Sequence, residues 1–552
     1  MRWIAIGVGL VLGVAAAHGG TYDRLGAYER EAVDEVLAKH VLAIDPSPGD
    51  KRIGSIQIVN LEVFSEKDGF LEWFNIFHRT TRDEIIRREL LFRTGAMWNQ
   101  ELIDETLRNI RDPFLSNVVV ILPVKSTTAG VVDVLVVTRD VWSLRLNSNF
   151  QIHDGVLRLL NLSIAENNLF GWRKTASMRF NMDQGIFWIG PHYSDPNIAG
   201  TRLKLYSDFS TIFNRETQAY EGTSSNVHLT YPLWSLASVW AGSAKFSHTD
   251  YISRRYVGSD AVLEYENRGF NVVTRGLASI GRSVKHQFSL THRLIDFESA
   301  LVHSADPTVW NAPNSRRESE LIVGYRLYTP QWMETRDVDT FDFREDYRVG
   351  PDVSVSIARA FEFLGSNEEY TGLSAAASWM FALPKEAFIR LKGSWYGRLQ
   401  DGALFDHSLG GSFYGVSPRL GRYARLITRF KVGVRLENGS GNLGYQLGGE
   451  NGMRGYSIGA FEGESYLLGQ LEMRTMPLHM GFVRLGGVVF WDMGHAAAKF
   501  SELDPHHDVG VGFRLLIPQA NPYVLRADWA FGLQGNEAGW PGRFSFGFQQ
   551  VF

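Results

Sequence analysis

From residue 143 to the C-terminus the chain alternates apolar side chains with polar or small ones at a period of two, and it keeps this up for 410 residues. Successive side chains on a strand point to opposite faces, so such a run specifies sheet with one apolar and one polar face. In TRLKLYSDF, Leu203, Leu205 and Phe209 share one face, while Arg202, Lys204, Tyr206 and Asp208 share the other. RLITRFKVGVRLE sets Leu426, Phe430, Val432, Val434 and Leu436 against residues that include Arg429, Lys431 and Arg435. DVGVGFRLL does the same with Val509, Val511, Phe513 and Leu515 against Gly510, Gly512 and Arg514. A soluble antiparallel sandwich produces such alternation with its apolar face turned inward. The repeated lysine and arginine on the polar face, the length of the run and an aromatic content of 13% favour a transmembrane barrel instead. Its apolar face would meet lipid and its polar face would line a lumen. At about 25 residues per strand with connections, the run predicts an all-β barrel of about 16 antiparallel strands, within the usual even-numbered range.

The N-terminus fits an exported protein. MRWIAIGVGLVLGVAAAHGG carries Arg2, an apolar stretch from Trp3 to Ala17 and a small-residue run at Ala15, Ala16 and Ala17. This reads as a secretory signal peptide, residues 1–17, cut after Ala17. Cysteine is absent, which excludes disulfides and cysteine-ligated metals, and a net charge of -4 argues against a nucleic-acid binder.

Between these lies a different texture. Residues 18–50 hold a short leading helix and a linker: AYEREAVDEVLAKHVLAI places Val33, Val36, Leu37, Val41 and Ile44 on one helical face before DPSPGD breaks it. Residues 51–142 read as a compact α+β module. IGSIQIVNLEVF predicts a strand, and TTRDEIIRRELLF a helix with a capping box of Thr81 and Glu84 and a stop at Gly95. QELIDETLRNI predicts a second helix capped by Asn99, and NVVVILPV with GVVDVLVV a closing hairpin. The order strand–helix–helix–strand–strand, with the ends LLFRTGAMWN and VVTRDVW, resembles a POTRA domain, the periplasmic module of outer-membrane assembly and secretion proteins.

One segment interrupts the alternation. GGENGMRGY, residues 448–456, is too glycine-rich for a strand and carries a single cation, Arg454. With a POTRA-like module ahead of a barrel, it resembles the arginine–glycine–aromatic motif of the BamA/TamA superfamily of outer-membrane assembly and translocation proteins (the bacterial surface antigen family). Gly448, Gly449, Arg454, Gly455 and Tyr456 match. The resemblance implies that the sixth extracellular loop folds back into the barrel and holds Arg454 against the inner wall. A cation enclosed in a lumen needs carboxylate partners, and the planar arginine fork suits them. VVFWDMGHA supplies Phe490, Trp491, Asp492 and Gly494, similar to the family's aromatic-x-Asp-x-Gly strand, and LGQLEMRTMPL supplies Glu472. Asp492 is the expected primary contact and Glu472 the second. ENNLFG, residues 166–171, is a further family-like turn. The chain ends in RFSFGFQQVF, where Phe544, Phe546, Phe548 and Phe552 resemble the C-terminal assembly signal of outer-membrane barrels, with Gln550 as a departure.

Other signals are weaker. DHSLGGS around Ser408 lacks the glycine that a nucleophile elbow needs two residues earlier. DVDTFD lacks the ligand pattern of a calcium loop, and His506, His507 and Asp508 alternate faces if they lie on a strand. No cofactor, metal site or enzymatic activity is expected. The resemblance implies a protein of the bacterial outer membrane, with its POTRA domain in the periplasm, that inserts β-barrel proteins into the membrane or translocates proteins across it. Its partners would be unfolded clients, the lipid bilayer and periplasmic or lipoprotein partners of the POTRA domain. The alternative is a passive channel or structural barrel without translocase activity.

Overall fold

The computed structural model describes residues 22–112, 115–153, 156–257, 260–306, 312–438, 444–521, 523–535, 538–548 and 550. The signal-peptide reading of residues 1–17 and the terminal Phe552 lie outside them. So does the side chain of Phe548.

The chain begins with α1 (Ala27–Lys39), β1 (Arg52–Leu61), α2 (Asp83–Glu89), α3 (Gln100–Ile110), β2 (Ser116–Lys125) and β3 (Val131–Asp140). The three strands form a sheet with β3 in the centre, parallel to β1 and antiparallel to β2. Both faces of β3 are covered, which is why VVDVLVV is nearly continuous in apolar β-branched residues. On one face Ile86, Ile103, Leu107 and Ile110 from α2 and α3 pack on Ile53, Val119, Ile121, Val134 and Val136. On the other, Ala32, Val33 and Val36 of α1 pack on Val118, Val120, Leu122, Leu135 and Val137. The leading helix thus shares a core with the module. It stops at Lys39, and Val41, with φ of 53°, is exposed.

Asn99 caps α3 as expected, its Oδ1 accepting from the Leu102 amide at 3.3 Å. Thr81 does not cap α2. The N-cap there is Arg82, without a side-chain bond, and α2 ends at Glu89, well before Gly95. Thr81 is used elsewhere: its amide donates to Asp140 at 2.5 Å and its hydroxyl accepts from Asn168 at 3.1 Å. A stretch that periodicity left unassigned, Glu66–Phe77, forms a 3-10 segment broken at Gly69.

Beyond residue 143, twenty-two strands close into one antiparallel barrel. Two short ones, Gln331–Arg336 and Leu478–Met480, prolong the strands before them, leaving twenty staves among the described residues rather than about 16. The discrepancy has a simple cause: several connections are only two or three residues long, so 410 residues supply more staves than an allowance of about 25 residues each would give. Leu146, Ile164, Leu290, Val323, Val489 and Val511 stand exposed on the outer face. An apolar exterior of this kind is stable against acyl chains and not against water. Among the described residues no helix is long and apolar enough to cross a membrane.

The barrel closes between its first strand, Leu144–His153, and its last, Arg543–Phe548. Only Phe544–Ile152, Ser545–Gln151 and Phe546–Phe150 pair across this seam among the described residues, whereas the first strand pairs with the second at ten positions. Phe150 and Phe546 stack across the seam on the lipid side, with ring centroids 5.1 Å apart.

The α+β module lies across the mouth at the end where the barrel chain begins. Asn168 Nδ2 donates to the Arg79 carbonyl at 2.9 Å, so the ENNLFG turn is part of the joint. Arg202 pairs with Glu89 at 2.7 Å, the Leu236 amide donates to Glu105 at 2.5 Å, and Arg111 pairs with Asp346. Trp142 and Asn117 donate to the carbonyls of Gln519 and Pro518 at 2.7 and 3.2 Å. These turns belong to staves on both sides of the seam.

Candidate functional site: a luminal arginine cluster

The connection across residues 437–464, at the end away from the module, carries GGENGMRGY. It is the eighth connection at that end rather than the sixth, because fifteen staves precede it; five staves follow it. A two-stranded ribbon of Tyr445–Leu447 and Phe461–Gly463 directs the loop inward. Leu447, Met453 and Tyr456 then pack on Leu468 and Ala496 of the wall. Gly448, with φ of 126°, occupies a conformation closed to other residues, and the Gly449 amide donates to the carbonyls of Met453 and Tyr456, both at 2.9 Å. At Gly455 the constraint is space: a Cβ there would lie 2.6 Å from Asp508 Cβ and 2.7 Å from the Gly532 amide nitrogen. Gly494 leaves similar room for Met453, whose sulfur would sit 3.0 Å from an added Cβ.

The turn delivers Arg454 to a buried position, 5% exposed. Its Nε and Nη2 donate to the two oxygens of Asp492, each at 2.8 Å, and its Nη1 donates to Glu472 at 2.6 Å. Asp528 lies 3.6 Å from Nη1. The guanidinium sits over Phe490, with Cζ 3.4 Å from the ring centroid. The structure therefore brings Arg454, Asp492, Glu472 and Phe490 together. Inward and outward residues alternate on the Val483–Ala497 strand, so Trp491 faces lipid and stacks on His507. Phe544 and Phe546 likewise lie on the outer face, on the opposite side of the wall from the cluster.

Several members were not singled out in the sequence. Asp508 accepts from the Gly455 amide at 3.0 Å, and Asp528 holds Arg514 at 2.5 Å. Arg474 pairs with Glu472 at 2.7 Å, and Gln470 donates to the Gly452 carbonyl at 3.0 Å. Arg543, on the last strand, donates to the Gly455 carbonyl at 3.2 Å and to the Ser457 hydroxyl at 2.9 Å. Their signal was the alternation itself: Gln470, Asp508, Arg514, Asp528 and Arg543 all occupy lumen-facing positions of the last five staves. Asp492 and Asp508 are register partners; Asp492 accepts both its bonds from Arg454, while Asp508 accepts from the Gly455 amide of the same loop. Removing one partner of such a buried set costs about 3–5 kcal/mol, because the charges left behind stay desolvated. The cluster is suited to hold the loop against the wall; it presents no nucleophile beside a base.

No family model matches the chain, and no curated protein does. Among solved structures it is similar to BamA from Haemophilus ducreyi lacking POTRA domains 1–3, at 12% identity and a TM-score of 0.34, over 90% of this chain and 83% of that one. It is similar to CdiB from Escherichia coli at 11% identity and a TM-score of 0.45, over 91% and 77%. OpdK from Pseudomonas aeruginosa, crystallised with vanillate, shares 12% identity and a TM-score of 0.35, over 73% and 96%.

Proposed function

We propose that the chain is a bacterial outer-membrane protein that inserts β-barrel proteins into the outer membrane or translocates proteins across it, with residues 51–142 as a single periplasmic POTRA domain. The observation that carries this reading is the contrast between the seam and the wall beside it. Among the described residues three register pairs join the first and last strands, while the staves leading to the last one are tied to an internal loop through Arg454. A strand edge held so lightly can be exchanged for pairing with an incoming strand, and β-strand addition gives both the attraction and the register. The folding of the client supplies the driving force. Clients would reach the seam by way of the POTRA sheet edge, and a periplasmic or lipoprotein partner could bind the same module.

A luminal cavity of about 530 Å³, lined by residues that include Arg326, Lys392, Lys431, Ser394 and Ser412, favours the second reading, a passive channel. The module across one mouth and the loop inside the lumen weigh against open conduction. Deletion in the native host, followed by quantification of outer-membrane and secreted proteins, separates the possibilities. A fall in many unrelated barrels identifies an insertase, and loss of one exported protein a dedicated translocator. An unchanged proteome together with steady conductance from the purified protein supports the channel.

A further inference from the structure

The Glu66–Phe77 segment, EKDGFLEWFNIF, lies outside both the module core and the arginine cluster. Six of its twelve residues are large and apolar, yet Phe70, Trp73, Ile76 and Phe77 are 74%, 61%, 65% and 55% exposed. Loose structure does not explain the exposure, because the polar residues pin the segment down. Asp68 accepts from the Ser65 amide at 2.7 Å and from Gln519 of the barrel rim at 3.2 Å. Asn75 donates to the Phe64 carbonyl at 2.8 Å and accepts from the Phe64 amide at 3.2 Å. Asp68 and Asn75 thus hold the segment to the protein, while the four large apolar side chains face out together with the charged ends of Glu66, Lys67 and Glu72.

What covers that side follows from its surroundings. Phe74 packs edge-on against Trp142, ring centroids 5.8 Å apart, and Trp142 lies two residues before the first strand, whose Leu144 and Leu146 stand exposed on the outer face. The apolar side of the segment is therefore continuous with the barrel's outer surface at the foot of the seam. Its far end leads into Arg79 and Arg82. Arg82 lies over Trp172, with Cζ 4.4 Å from the ring centroid, and Phe170 beside it is 69% exposed. Aromatic rings next to arginines at a membrane boundary match what the headgroup layer accepts: rings at the glycerol level and guanidinium groups on lipid phosphates.

We propose that Glu66–Phe77, with Phe170, Arg79 and Arg82, forms a ledge that embeds in the phospholipid leaflet on the module's side of the membrane and fixes the module beside the seam. The inference needs only that the barrel lies in a bilayer; it is independent of what the protein transports.

The absence of cysteine makes the test direct. Single substitutions Phe70→Cys, Trp73→Cys and Phe77→Cys in the full chain would carry a nitroxide after reconstitution into phosphatidylethanolamine–phosphatidylglycerol vesicles. Leu290→Cys on the barrel exterior provides the in-membrane reference and Val41→Cys on the module the aqueous one, each variant being checked for barrel folding by heat-modifiable gel migration. Collisions with oxygen and with a water-soluble nickel chelate then report depth. All three ledge labels are expected to favour oxygen, at a depth on the order of 5–10 Å below the phosphates. Nickel accessibility equal to that of Val41→Cys at all three positions would overturn the proposal. So would shielding from both reagents, which would mean that protein covers the face.

Discussion

Arg454→Ala removes two bonds to Asp492, one to Glu472 and the stacking on Phe490, and it leaves three carboxylates without that cation. At about 3–5 kcal/mol for a broken buried pair, and about 1.4 kcal/mol per decade, the open population of the loop should rise by at least 10²-fold or so. Chymotrypsin reads this directly. Tyr456 is 3% exposed in the docked loop, and the backbone beside it is tied to Asp508, so cleavage there requires undocking. When reclosing is fast, the cleavage rate follows the open population. Arg454→Lys keeps the charge but not the fork and should fall between. Adding Asp492→Asn to Arg454→Ala should cost at least 1 kcal/mol less than adding it to the wild type, since it then removes a stranded charge. Cleavage of Arg454→Ala at the wild-type rate, or additivity of the pair within about 0.5 kcal/mol, would refute the argument.

Gly455→Ala should loosen the same loop by about 1–3 kcal/mol, since its Cβ would press on backbone that cannot yield; faster chymotrypsin cleavage with an intact barrel is the expected result. Phe150→Cys with Phe546→Cys places a cysteine pair across the seam, and oxidation should block client insertion or export while reduction restores it. In the module, the hydrogen-bonded Lys51 ammonium holds the Asp45 carboxyl below its usual range. A depressed carboxylate contributes stability above its unfolded value, about 3.9, and loses it as pH falls through the folded one. Asp45→Asn should therefore exchange β2 amides faster than the wild type at pH 7, and the two should converge in strong acid.

The barrel was legible because lipid and lumen impose opposite chemistry on alternate residues, a rule that any one strand displays. Strand number is not written in that rule. It depends on turn lengths, and turns as short as 183–185 and 401–402 carried the count past the expectation. Arg454, Glu472 and Asp492 could be named because the glycine-rich loop marks the cation and an enclosed cation needs acids. Asp508 and Asp528 could not be assigned to the cluster, since an acid on a lumen face looks the same whether it meets water or a backbone amide. Thr81 was read as a helix cap because capping is local, whereas its partners Asp140 and Asn168 come from β3 and a barrel turn. Glu66–Phe77 escaped notice because the break at Gly69 erases any helical period.

The seam is mechanically unequal on its two sides. The last strand keeps six pairs with its neighbour and is clamped to the inserted loop through Arg543, so it behaves as a fixed post. The first strand keeps ten pairs with its own neighbour and follows the module after only three residues, 141–143. A rotation of the module is thus passed most directly to the first strand and the wall it pairs with. Torque applied at the module reaches the seam through three residues of chain.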